Sequence, residues 1–414
     1  MERIRIGDLA FGGEGVGRLA DGSVVFVPFT AVGDDVTIEV TERKPTFCRG
    51  EVVQVNEPGP GRTDPVCRHF GRCGGCAYQH LDYATELAAK QKQFKDLIRR
   101  LGKFEDFPEP EVHGAPQPYG YRNKLRLEPS QRTLEATGYR VEYGYCQRDN
   151  ETFFMVKNCP LARPELNTLL PKAVRSDWGR QNARREAPYT LTLRIDTTGT
   201  TGYYFGKPSP KLPWFNEELL GHTYRVPTGS FWQVNPPVAE CLLATVRNWL
   251  ADSPADTLVD AYGGVGTFSL ALGFKMKHRV LIEADPAAGT AADYNHKAAA
   301  LSCDIITGTT EGAIERVLDG TAPESTIVVL DPPRTGCHQQ VLETLRRHRT
   351  ATVVLVSCNV ATMARDLRLL CAGGLYRPVK SALFDMFPRT AHFESLCLLT
   401  LSADAQQAKE KEQD

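Results

Sequence analysis

Val353-Val354-Leu355-Val356-Ser357-Cys358-Asn359 runs four apolar residues straight into three polar ones. A short apolar run that stops at polar residues reads as a buried strand of a parallel sheet. In open α/β sheets, ligands sit beyond the carboxyl ends of such strands. The stretch therefore predicts a doubly wound sheet, with Cys358 where a ligand would lie. A lone cysteine is more often a small apolar core residue, so its neighbours must decide.

Residues 231–402 repeat the pattern and form one expected domain. Thr257-Leu258-Val259-Asp260-Ala261-Tyr262 is strand-like, Gly263-Gly264-Val265-Gly266 is a glycine turn, and Thr267–Leu272 opens a helix. Glycines at this point let the backbone approach a nucleotide-like ligand. Arg279-Val280-Leu281-Ile282-Glu283 is a second strand, and it ends in an acid at the distance expected of a ribose-binding carboxylate. The turn lacks the full dinucleotide fingerprint, which favours adenosylmethionine over NAD. Thr326-Ile327-Val328-Val329-Leu330 ends in Asp331-Pro332-Pro333-Arg334. Two prolines behind a strand-end acid make a rigid loop facing the ligand.

Residues 58–230 form a middle segment. Cys67, Cys73 and Cys76 stand in C-x5-C-x2-C spacing among glycines, and Cys159-Pro160 offers a fourth thiol. Four thiolates suit a [4Fe-4S] cluster or zinc. The wide first spacing favours the cluster. Asp82 and the apolar positions after it predict a basic helix over 82–103. Tyr119–Arg126 interleaves aromatics with cations, a composition suited to stacking on bases. Residues 61–230 carry 26 Lys/Arg against 19 Asp/Glu, whereas residues 1–60 carry 6 against 10. A basic middle fits a polyanionic partner.

Residues 1–57 are punctuated by glycines, with short strands at Val24–Val27, Val36–Val40 and Glu51–Val55. They predict a small β-barrel of the oligonucleotide-binding type. Residues 403–414 are a charged tail. No run is long and apolar enough for a membrane span, and Met1–Ile6 lacks the apolar core of a signal peptide, so a cytoplasmic protein is expected.

Taken in order, these motifs resemble those of the RNA uracil-5-methyltransferase family. Residues 1–57 resemble its TRAM domain, and Cys67, Cys73, Cys76 and Cys159 match its [4Fe-4S] ligands. Phe231-Trp232-Gln233-Val234-Asn235, Ser357-Cys358-Asn359 and Phe384-Asp385-Met386-Phe387-Pro388-Arg389-Thr390-Ala391-His392-Phe393-Glu394 match its cofactor, nucleophile and C-terminal signatures. The resemblance implies a class I, Rossmann-like methyltransferase domain behind a TRAM barrel and a mixed α+β central domain carrying the cluster. It implies S-adenosylmethionine-dependent methylation of uridine C5 in RNA. Cys358 would be the nucleophile, Glu394 the base and Asp331 the group on the uracil edge. Gln233, Tyr262, Glu283 and Asp331 would hold the cofactor. TRAM plus cluster is the arrangement of the 23S rRNA enzymes, so 23S rRNA is the expected partner, with no obligate protein partner. The alternatives are a tRNA enzyme and a non-catalytic RNA-binding protein. Three positions depart from the pattern: Val360 replaces a proline, Gly264 replaces a cysteine, and Thr309 leaves the adenine contact unassigned.

Overall fold

The structure is a computed structural model, and it describes residues 1–136 and 138–402. The expected charged tail, 403–414, lies outside the described residues.

The first six strands, β1 (Glu2–Arg5), β2 (Asp8–Leu9), β3 (Gly15–Arg18), β4 (Val24–Val27), β5 (Asp35–Arg43) and β6 (Cys48–Glu57), make one sheet of order β1-β5-β6-β4-β3-β2. Val36 and Ile38 point into its core with Ile4, Ile6, Val25 and Val27, as period-two alternation requires. Register shifts between β5 and β6 bend this long hairpin. Each outer strand pairs on one side only, so the sheet is an open half-barrel.

Helix α1 (Tyr83–Gly102) follows, with the Asp82 carboxylate accepting from Thr85 N at 2.7 Å as its N-cap. Strand β7 (Glu111–His113) comes next. The middle segment then contains β8 (Lys124–Pro129), β9 (Thr133–Glu135), β10 (Gly138–Arg140), β11 (Tyr143–Cys146) and β12 (Phe153–Met155). It continues with α2 (Pro164–Arg175), α3 (Asp177–Ala183), β13 (Leu191–Ile195), β14 (Thr201–Phe205) and the hairpin β15 (Phe215–Leu219) and β16 (His222–Val226). Five of these strands form an antiparallel sheet, β12-β11-β8-β13-β14.

The remainder alternates helix and strand: α4 (Pro236–Trp249), β17 (Thr257–Ala261), α5 (Thr267–Leu272), β18 (His278–Glu283), α6 (Pro286–Ala298), β19 (Asp304–Thr307), α7 (Thr310–Asp319), β20 (Thr326–Leu330), α8 (Gln339–His348), β21 (Thr352–Ser357), α9 (Val360–Leu370), β22 (Tyr376–Phe384) and β23 (Glu394–Leu401). The sheet order is β19-β18-β17-β20-β21-β23-β22-β7, with β23 antiparallel to both of its neighbours. The strands read as unbroken apolar runs because both faces are covered. Val354 and Val356 join one core, whereas Val353 and Leu355 join the other. The order reverses beside β17, which makes a switch point between β17 and β20.

The packing does not divide where the sequence placed the boundary at residue 230. Strand β7 adds to the edge of the C-terminal sheet beside β22, α1 packs its Phe94 and Ile98 into that domain's core, and Leu219, Tyr224 and Val226 of the β15–β16 hairpin pack into the opposite core. Composition carried no sign of this, because a short edge strand and one amphipathic helix look alike wherever they dock.

The cations of α1 are also less available than expected. Lys92 pairs with Asp8 and Asp96, Lys95 pairs with Glu109, and Lys90 is fully buried between Glu86 and Asp385, 2.7 Å from each. Nor is Tyr119–Arg126 an exposed stacking stripe. Tyr121 is buried and donates to Pro388 O at 3.1 Å, Asn123 donates to Gln233 O at 2.9 Å, and the Arg389 guanidinium covers Tyr119 at 5.0 Å. The segment braces the C-terminal signature instead.

Candidate active site

Strand register gathers the site. Ala261 pairs with Ile282 on one side and Leu330 on the other. One residue further, Tyr262, Glu283 and Asp331 stand in a row across three strand ends. Strand β21 runs beside β20, and Ser357 pairs with Ser395 of β23. One step beyond the last pair of that register lie Cys358 and Glu394, whose side chains interact electrostatically.

The thiol and the two carboxylates feel one another. Burial, the Glu394 and Asp331 carboxylates together push the Cys358 thiol up to about 11, and Arg334 opposes them. Asp331 is pushed up to about 7, by burial and then by Asp260. Glu394 is 5% exposed, and burial with Asp331 nearby raises its carboxyl well above the ordinary range. Arg334 is the residue that sequence reasoning quoted but gave no role. Its signal was its place directly behind the two prolines. Asn359 caps α9 by accepting from Ala361 N at 3.1 Å, and its amide donates to Arg334 O at 3.2 Å, tying the two loops together. Val360 occupies the first helical position, the one where proline fits best, and its side chain is buried.

A second recess adjoins the switch point. Gln233, Tyr262, Gly264 and Asp331 line it, together with Phe231 and Met386. Glu283 does not line it, but its Oε2 accepts from Gly264 N at 2.8 Å and its Oε1 from Asp285 N at 2.7 Å. Gly264 sits at φ +57° with nothing within 4 Å of where a Cβ would be. Tyr262 also takes positive φ, 64°, a strained state that clusters at ligand sites. Gln233 Oε1 is buried with no hydrogen-bond partner among the described residues. A buried acceptor left in this state calls for a donor from a ligand or solvent. The recess thus fits a polar, nucleotide-like cofactor. Thr309 instead precedes α7 at the end of β19 and does not line the recess. Sequence reasoning left Phe231 without a role of its own. It is 71% exposed at the mouth of the recess, and a large exposed aromatic beside a glycine turn is a signal that only burial reveals.

The four cysteines come together although Cys76 and Cys159 are 83 residues apart, as Cys67, Cys73, Cys76 and Cys159 line one small pocket. Burial pushes the Cys76 thiol up to about 12 and also raises Cys73 and Cys159. Gln79 Nε2 donates to Cys76 Sγ at 3.2 Å and Gly75 N to Cys73 Sγ at 3.4 Å. Backbone and amide donors aimed at sulfur are what a cluster's ligands use. Among the described residues, no three His, Cys, Asp or Glu side chains converge tightly enough for a single metal ion.

A family model described as tRNA (Uracil-5-)-methyltransferase matches residues 218–402, and the TRAM domain model matches residues 2–53. An uncharacterized RNA methyltransferase of Nostoc sp. strain PCC 7120 is 32% identical, covering 96% of both chains. One of Porphyromonas gingivalis is 30% identical, covering 97% of this chain and all of its own. This chain belongs to the RNA uracil-5-methyltransferase family. It is a member with a TRAM domain at its N-terminus. The crystal structure of Pyrococcus abyssi tRNA (uracil-54, C5)-methyltransferase with S-adenosyl-L-homocysteine shares the fold of this methyltransferase over its whole length. The TM-score is 0.71 at 23% identity, covering 96% of this chain and 100% of that one. Among the described residues, no helix is long and apolar enough to cross a membrane.

Proposed function

We propose that this chain methylates C5 of a uridine in RNA, with 23S rRNA as its substrate. The observation that carries the reading is the strand register that sets Cys358 against Glu394 beside Asp331. Uracil C5 is a poor nucleophile. Addition of the Cys358 thiolate to C6 gives C5 enolate character, and C5 can then take a methyl group. S-adenosylmethionine supplies that methyl. Gln233, Tyr262, Glu283 and Asp331 would hold it in the recess. Asp331 would also bond the uracil edge. Glu394 would then remove the C5 proton, so that the C5–C6 double bond re-forms and the thiolate leaves. The target base must first leave its stack.

Cys67, Cys73, Cys76 and Cys159 are assigned to a [4Fe-4S] cluster that holds the 67–78 loop in shape. TRAM together with this cysteine set supports 23S rRNA. Likeness to the tRNA enzyme of P. abyssi along the whole chain supports tRNA as a second reading. Incubation with 5-fluorouridine-substituted 23S rRNA fragments and tRNA tests both. A fluorine at C5 blocks the elimination, so wild type should be trapped on one of them through Cys358. No adduct on either would remove the enzymatic reading. Loss of 5-methyluridine from tRNA alone in a deletion strain would replace rRNA by tRNA.

A further inference from the structure

All three parts of the chain meet at one pocket beside the cysteine set. It has about 150 Å³ of room for water and is walled by Gly13, Glu14 and Phe29 of the TRAM domain, Cys73 and Cys76 of the cysteine loop, Arg148, and Thr390 and His392 of the C-terminal signature. Its walls are fixed to one another. Phe11 meets Phe393 edge-on at 6.2 Å. Ala77 and Tyr78 donate their N–H groups to Arg389 O at 2.9 and 3.2 Å. A Cβ on Gly13 would lie 3.0 Å from Ala77, so glycine is what lets the TRAM turn abut the cysteine loop.

Phe29 is the unusual residue. It holds φ 62°, which is a genuine outlier for a bulky side chain. The surroundings over-determine it: Arg62 donates to Phe29 O at 2.8 Å, and the fully buried Asp34 grips the same guanidinium at 2.6 Å. Backbone strain held this firmly marks functional positions. The strain turns the ring into the pocket, where it rests on Phe70 at 4.9 Å and carries the Arg148 guanidinium at 4.7 Å. An aromatic face beside an exposed, flat cation is the chemistry that takes a nucleobase and its phosphate. The far wall, His392, stands two residues before Glu394, a reach of at most about 7 Å.

We propose that this junction pocket binds a second unstacked nucleotide of the RNA, a near neighbour of the target uridine, between Phe29, Arg148 and His392. The inference rests on the RNA reading above. Extruding a uridine breaks its neighbours' stacking, and a pocket that restacks one of them holds the strand open beside the site.

The test uses whichever of the 23S rRNA fragments or tRNA wild type binds more tightly, with uridine at the target for binding and 5-fluorouridine for the adduct. A single abasic residue is walked through the four positions on either side of the target. Arg148→Gln changes an exposed side chain. Phe29→Gly removes the ring and suits positive φ, so neither variant is expected to unfold. With wild type, one abasic position should weaken binding by about tenfold. With either variant, intact RNA should bind about tenfold more weakly, and that abasic position should then cost nothing more. Additive losses at every position, or unchanged binding by both variants, would overturn the pocket. An adduct-free wild type would defeat the enzymatic reading alone, because the coupling is read from binding.

Discussion

Lys90→Met gives the sharpest test of how the C-terminal signature is held. The Lys90 ammonium lies 2.7 Å from both Glu86 and Asp385, and all three side chains are fully buried. Arg389 pairs with Glu86 at 3.1 Å, and Tyr83 donates to Asp385 at 2.9 Å. Two cations therefore balance two carboxylates between α1 and the loop that ends at Glu394. Methionine keeps the stem and removes the charge, leaving a carboxylate buried without its partner. Breaking a buried pair in this way costs about 3–5 kcal/mol. At about 1.4 kcal/mol per decade, the loop should open at least roughly 100-fold more often. Amide hydrogen exchange reads this locally, because Arg389 N donates to Glu86 at 2.6 Å. Protection factors over residues 385–394 should fall by that ratio. The defect should also shrink at lower pH. Burial already raises the Glu86 carboxyl above its ordinary value, so the folded state binds its proton more readily than the unfolded one. Stability from such a group is present at low pH and lost as pH rises through its folded pKa. Without Lys90 that pKa rises further, and protonation relieves the unpaired charge. A fall in protection under fivefold at pH 8, or a defect that grows toward pH 5, would refute the argument.

The Cys358 thiol, pushed up to about 11, should be alkylated by iodoacetamide about tenfold faster per pH unit between 7 and 10; a midpoint below 9 would contradict the burial argument. Glu394→Gln should still add its thiolate and accept the methyl group but stall before release, so covalent RNA should accumulate in denaturing gels; normal turnover would remove Glu394 as the base. Protein purified without oxygen should contain iron and sulfide and lose both in Cys159→Ser, whereas zinc without iron would overturn the cluster assignment.

Several parts of the molecule were legible because they depend on local pattern. The α1 boundaries follow from Asp82 and the apolar spacing, and the C-terminal strands from their buried runs. The glycine turn follows from backbone demands that few residues meet. The cysteine set was visible as spacing, but nothing local linked Cys159 to Cys67; its approach depends on how the central sheet folds back. The basic excess of residues 61–230 misled in part. Formal charge does not record that Lys90 is buried or that Lys92 and Lys95 already have partners.

The sequence by itself determined a doubly wound C-terminal domain, a glycine turn after its first strand, a four-cysteine set and a cysteine at a strand end. All of these are properties of short segments, set by periodicity, turn chemistry and spacing. Only the tertiary structure decided that Cys358 and Glu394 come together, because their approach is a consequence of the antiparallel β21–β23 register. It alone joined Lys90 to Asp385 across 295 residues and brought Phe29, Arg148 and His392 to one pocket. Side chains that distant acquire neighbours only when the sheets and helices between them pack, and packing is a property of the whole chain.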